Sequence, residues 1–228
     1  MKCNVCMTTP SIPSAGENKM NTTQFTACLQ HVAQGMIASE PRLTALDQVI
    51  GDGDHGIGIK RGFTALQTLL SAPEFSPADI GDCLLQSGTR LMTSMGGASG
   101  AIFGTLFRAG DKGLAGRREL DAATLAEWLE IGMQAIHQRG GAEPGDKTMM
   151  DALAAAAARA RSDATLPLSE ALANCAQAAM AGAEGTSTMV ARFGRAKNLG
   201  ERAIGHCDPG AVSMALILQF MAEFTHTR

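Results

Sequence analysis

Three carboxylates fall close together at Asp47, Asp52 and Asp54, in the run Asp47-Gln48-Val49-Ile50-Gly51-Asp52-Gly53-Asp54-His55-Gly56. Carboxylates this near one another repel unless water or cations compensate. Hard divalent ions take oxygen ligands, and Mg²⁺ typically uses a few carboxylates together with phosphate oxygens and water. An acidic solvated turn would show the same spacing. An EF-hand does not fit: counted from Asp52, Ile57 stands where glycine is required and Phe63 where the bidentate glutamate belongs. Three more clusters combine glycine with groups suited to an anion. Ser94 to Gly100 consists of small residues around Met95, and its N–H groups suit phosphate oxygens. It is not a nucleophile elbow, because the spacing to Ser99 is wrong and no strand precedes it. Gly141 to Thr148 invites a P-loop reading, but Asp146 stands where glycine must precede the lysine, and the segment before it has a helical pattern. What survives is a loop entering a helix N-terminus, favourable to an anion, or an ordinary helix start capped by Asp146. Arg192, Arg195, Lys197, Arg202 and His206 concentrate positive charge before Asp208-Pro209-Gly210. Arginine suits bidentate phosphate contacts, although a solvated face would look alike. Acidic ligands, anion-cradling turns and a basic segment together point to a magnesium nucleotide. Phosphoryl transfer is mostly positioning and charge neutralisation, so it needs little more.

Helices must position these groups. The 228 residues include 38 alanines and only 5 valines, with no tyrosine, which favours helix over strand. Hydrophobic residues at 45% and a near-balanced charge of −3 indicate a folded domain without the positive field of a nucleic-acid binder. No apolar run is long enough to span a bilayer, so no membrane role is expected. Apolar stripes at helical spacing predict about eight helices. The first follows an Asn21…Gln24 capping box, the second runs from Ile59 to Leu70, and the third starts at Ser76-Pro77 and continues to Met95. The fourth covers Ile102 to Phe107, the fifth follows a cap at Asp121, and the sixth is the alanine-rich Lys147 to Arg161. The seventh includes Leu168 to Ala179, and the eighth spans residues 210 to 225. No stretch alternates long enough to predict a strand. His31, Met92, Met95, Trp128 and Met133 fall on helix faces and read as core or surface residues. Cys28, Cys83 and Cys175 read as core, and reduced thiols imply a cytoplasmic location. Residues 1–20 read as a disordered leader, with a Cys3–Cys6 pair that lacks zinc-type partners, and residues 21–228 as one domain.

The four motifs, in order, resemble the nucleotide-binding L subunit of bacterial dihydroxyacetone kinase. They are Asp47-x4-Asp52-x-Asp54-His55-Gly56, Gly96-Gly97-Ala98-Ser99-Gly100, Ala142 to Met149, and Gly200-Glu201-Arg202-x-Ile204-Gly205-His206-x-Asp208-Pro209-Gly210. The resemblance covers roughly residues 22 to 224. It implies an all-α barrel of eight antiparallel helices with the nucleotide at one end. It implies that Asp47, Asp52 and Asp54 hold two Mg²⁺ ions bridging the phosphates of ADP or ATP. His55, Gly56, Ile57, Gly58, Ala98 and Ser99 would contact phosphates or sugar. Gly140, Met149, Arg195, Asp208, Pro209 and Gly210 would complete the pocket. The substrate, a small ketose, would sit on a separate K subunit. The phosphoryl donor would be ATP, or bound ADP recharged by a phosphohistidine M subunit of the sugar-phosphotransferase system. An alternative role is a nucleotide-state sensor that binds a transcription regulator. Gly58 departs from the family pattern, where asparagine is frequent, so any contact there would come from backbone.

Overall fold

The computed structural model describes residues 18–226. The Cys3–Cys6 pair and most of the expected leader lie outside the described residues. Lys19 and Met20 belonged to that leader by sequence, but they are ordered. Lys19–Asn21 forms strand β1, which pairs antiparallel with β2, Glu119–Asp121, Met20 facing Leu120. Met20 and Leu120 are fully buried. Three residues are too few to show an alternating pattern, which is why neither strand was predicted.

The remaining regular structure among the described residues is helical, which makes the fold all-α. The helices are α1 Thr22–Ala38, α2 Glu40–Ile50, α3 His55–Leu70, α4 Ile80–Ser94, α5 Gly97–Arg108, α6 Gly110–Gly113, α7 Ala122–Gly140, α8 Met149–Ser162, α9 Leu168–Gly185 and α10 Pro209–His226. Two 3₁₀ segments, Thr186–Thr188 and Arg195–Ala203, lie between α9 and α10.

Local chemistry explains most boundaries. Asn21 and Gln24 make the expected capping box, each side chain taking the other's backbone N–H at 2.9 Å. Asp121 caps α7 by accepting from the Thr124 N–H at 2.8 Å. Two starts differ from expectation. The helix predicted at Ser76-Pro77 begins at Ile80, because Asp79 accepts the Asp82 N–H. The helix predicted from Lys147 begins at Met149. Its cap is Thr148, closed by Asp151 in a capping box, and not Asp146. Helices α2 and α6 were not predicted. In α2 the inward positions are Leu43, Asp47 and Ile50, so a buried carboxylate interrupts the apolar stripe. The four-residue α6 is too short to show a period.

Consecutive long helices pack on one another. The order of contact is α1 on α3, then α4, α5, α7, α8, α9 and α10, and α10 returns to α1. One continuous core results. Trp128 is fully buried in it, its ring edge-on to Phe107 and its Nε1–H donating to the Leu106 carbonyl at 3.0 Å. Cys28, Cys83 and Cys175 are buried there. Burial pushes their thiols up, to about 12 for Cys83 and Cys175, so they are protonated and inert. No helix among the described residues is long and apolar enough to cross a membrane.

Candidate nucleotide and metal site

A cavity of about 730 Å³ opens where four helices begin. The first residues of α3, α5, α8 and α10 all line it: His55 and Ile57, Ala98 and Ser99, Met149, and Pro209 and Gly210. A helix start presents backbone N–H groups and the positive end of the helix dipole. Four such ends around one volume make its walls attractive to an anion. The start of α5 is the most open. No side chain caps it, and Gly96 and Gly97 both take positive φ, 75° and 60°. Only glycine adopts that pair of conformations cheaply, and it aims successive N–H groups outward.

Beside these donors stand the acids. One carboxylate oxygen from each of Asp47, Asp52 and Asp54 lies within 4.8 Å of the other two. Asp47 is buried and accepts the His55 N–H at 3.1 Å, which holds it at the start of α3. Partial burial, then the Asp52 and Asp47 charges, pushes the Asp54 carboxyl above its ordinary value, with Arg195 opposing. A cluster of three hard oxygen donors, with like charge that one arginine offsets only in part, is the donor set that Mg²⁺ fits.

Arg195 approaches from the other side, its guanidinium 2.8 Å from Asp52. It is placed by a small apolar cluster in which Ile50, at the end of α2, packs on Ala191, Ala196 and Ala203. The loop carrying Asp208 is pinned from below by Lys147. This lysine is fully buried, has φ 59°, and donates to the Thr186 and His206 carbonyls at 2.6 and 2.5 Å. Its burial pushes it below its ordinary value, partly offset by Asp208. Asp208 in turn takes the Ala211 N–H at 2.7 Å and caps α10. Its own N–H donates to the Thr186 hydroxyl at 2.8 Å.

The expected site residues Asp47, Asp52, Asp54, His55, Ile57, Gly58, Ala98, Ser99, Gly140, Met149, Arg195, Asp208, Pro209 and Gly210 all line this cavity. Gly56 does not. It faces α2, where a Cβ would lie 2.3 Å from the Thr44 hydroxyl, so it lets α3 approach α2 closely. Several lining residues carried no signal in the sequence. Met95, Ile102, Phe103 and Ile136 are indistinguishable from core residues by pattern. Arg61 also lines the cavity; its Nε–H donates to the Ser94 carbonyl at 2.8 Å and its Nη2 to that of Met95. Burial pushes the His55 ring below its ordinary value, opposed by the Asp47 charge and a hydrogen bond to the Pro209 backbone.

The chain is similar to known proteins over most of its length. Residues 49–223 match the family model described as the DAK2 domain. The chain is 38% identical over 205 residues to the ADP-binding subunit of the PEP-dependent dihydroxyacetone kinase of Escherichia coli K12, covering 89% of this chain and 97% of that protein. It is 37% identical over 205 residues to the corresponding subunit of kinase 2 of Listeria innocua, covering 90% and 95%. Its fold superposes with a TM-score of 0.71 on the dihydroxyacetone kinase from C. freundii in complex with AMP-PNP and Mg²⁺, at 27% identity, covering 98% of this chain but 37% of that one. On the strength of the family match and of relatives aligned over nearly their whole length, this chain belongs to the DAK2-domain family, alongside the ADP-binding subunits of dihydroxyacetone kinases.

Proposed function

We propose that this chain is the Mg²⁺–nucleotide subunit of a kinase for dihydroxyacetone or a related short ketose, and that it works in the cytoplasm. One observation carries the reading: four helix N-termini and three clustered carboxylates face a single cavity. Phosphates need the first and their counter-ions need the second. Asp47, Asp52 and Asp54 would hold two Mg²⁺ ions. Bound there, the metal neutralises phosphate charge as it develops during transfer. The chain's own residues do the rest. The N–H groups of α5 cradle phosphate oxygens, Arg195 supplies positive charge, and Met149, Gly140 and Asp208 to Gly210 shape the remaining wall. The long helices form the antiparallel barrel that the resemblance implies, a reading supported by helix contacts that close on themselves. Residues 21–228 act as one domain, to which β1 is added.

The ketose sits on a separate K subunit in this reading. Ile57 and Phe193, apolar and 54% and 37% exposed, line the cavity and offer an apolar surface where a protein partner would dock. The donor is ADP recharged by a phosphohistidine M subunit, as the PEP-dependent relatives suggest.

Calorimetric titration with ADP in the presence of Mg²⁺ tests the proposal, and heat-denatured protein should release bound nucleotide to HPLC. Asp52→Asn should weaken Mg²⁺-dependent binding by more than about tenfold, the scale on which even outer partners of a metal act. Its melting temperature should stay close to that of the parent, because the ion pair of Asp52 is with a largely exposed arginine. Unfolding of Asp52→Asn with no nucleotide-specific effect would make the acidic cluster structural.

A further inference from the structure

We propose that Ser213 is a positioning residue of this site and acts through His55; the inference rests on the nucleotide reading above. Ser213 lies one turn inside α10, is fully buried and does not line the cavity. Its Oγ is 2.8 Å from His55 Nε2, and His55 Nδ1 is 3.2 Å from Ser99 Oγ. The imidazole is held at both nitrogens, by one hydroxyl in the cavity wall and by another behind it. Three helices, α10, α3 and α5, contribute one residue each.

With a hydroxyl within hydrogen-bond distance of each nitrogen, the imidazole is fixed in one orientation, and the hydrogen bond made by one nitrogen bears on the role of the other. Here the buried serine, together with the Pro209 backbone, sets the orientation of the ring and, through Nδ1, the direction of the Ser99 hydroxyl. Ser99 lies in the first turn of α5, whose N–H groups no side chain caps. A hydroxyl aimed in advance at an incoming phosphate costs no reordering on binding. Helix packing alone does not call for a serine. Alanine would fill the position with better helix propensity and no hydroxyl to satisfy.

The test compares the full chain with Ser213→Ala and Ser213→Thr. Three quantities are measured: affinity for ADP with Mg²⁺ by calorimetry, melting temperature without nucleotide, and the His55 ring-nitrogen shifts by ¹⁵N NMR. Ser213→Ala should lose about fivefold in affinity, the worth of about one hydrogen bond. Its nucleotide-free melting temperature should match the parent, while the His55 nitrogen shifts move. Ser213→Thr keeps the hydroxyl and should recover both affinity and shifts. Unchanged affinity and shifts in Ser213→Ala would overturn the proposal. So would an affinity loss that follows a fall in melting temperature. If the parent chain binds no adenine nucleotide, the functional reading fails instead, and the His55 shifts still report whether Ser213 holds the ring.

Discussion

At Gly58 an added Cβ would meet only the Met95 carbonyl, at 3.5 Å. Neither φ nor crowding requires glycine there, so the side chain usual in the family would fit. Gly58→Asn should therefore fold at least as stably, since asparagine is the better helix residue. It should tighten Mg²⁺–ADP binding by about fivefold through one added hydrogen bond, read by calorimetry. Asp208 gives a pH-dependent expectation. Burial pushes its carboxyl up to about 7, Asp151 adding to the effect, against the N–H bonds from Ala211 and Gly210 and the charge of Lys147. The folded protein thus keeps this proton to higher pH than the unfolded chain does. Stability from this group falls as pH rises from about 4 to about 7, and the loss is complete above that window. Asp208→Asn can still cap α10 and removes the effect. Its melting temperature relative to the parent should climb across that window and level off beyond it. A flat difference would mean that Asp208 titrates normally. The sequence marked Asp208 as a site residue, but its raised affinity for protons depends on the burial of its own carboxyl and on the nearby Asp151, which comes from α8.

Between elements, glycine does work that the sequence did not reveal. Much of it was expected at helix ends, yet Gly88 and Gly104 lie within α4 and α5 where the two helices touch. A Cβ on Gly88 would come within 2.6 Å of the Arg108 nitrogen and 2.8 Å of the Gly104 carbonyl. Gly88→Ala should destabilise the fold by roughly 1–3 kcal/mol through overpacking, measured as a lower urea midpoint with little change in slope. Because α5 carries Ala98 and Ser99, the same substitution should also weaken nucleotide binding. Helix existence was legible wherever an apolar stripe ran unbroken, as in α1, α3 and α9. It failed at α2, because Asp47 occupies an inward position. A buried carboxylate broke the local pattern that would have shown its own helix.

For the molecule as a whole, binding and folding are linked. A ligand held only by the native state adds about 2.7 kcal/mol at a hundred times its Kd. For a domain of this size, Mg²⁺–ADP at that excess should raise the melting temperature by roughly 5–10 °C. Chelation with EDTA should abolish most of the shift. An undiminished shift from ADP with EDTA would show that the three aspartates hold no metal needed for binding. The stabilisation should be global, because the cavity joins the starts of α3, α5, α8 and α10, which come from well-separated stretches of chain.

By itself the sequence determined the local features: helical periodicity, the caps at Asn21 and Asp121, the acidic run, and glycine clusters ahead of helices. These follow from interactions between residues a few positions apart, which is the range that spacing reports. Only the tertiary structure decided that the four clusters open onto one cavity, that Gly56 faces α2 instead of that cavity, and that Ile102, Phe103 and Ile136 wall it. It alone placed Ser213 behind His55, 158 positions away. Such contacts arise from helices packing across the core, and the type and order of the residues carry no local trace of them.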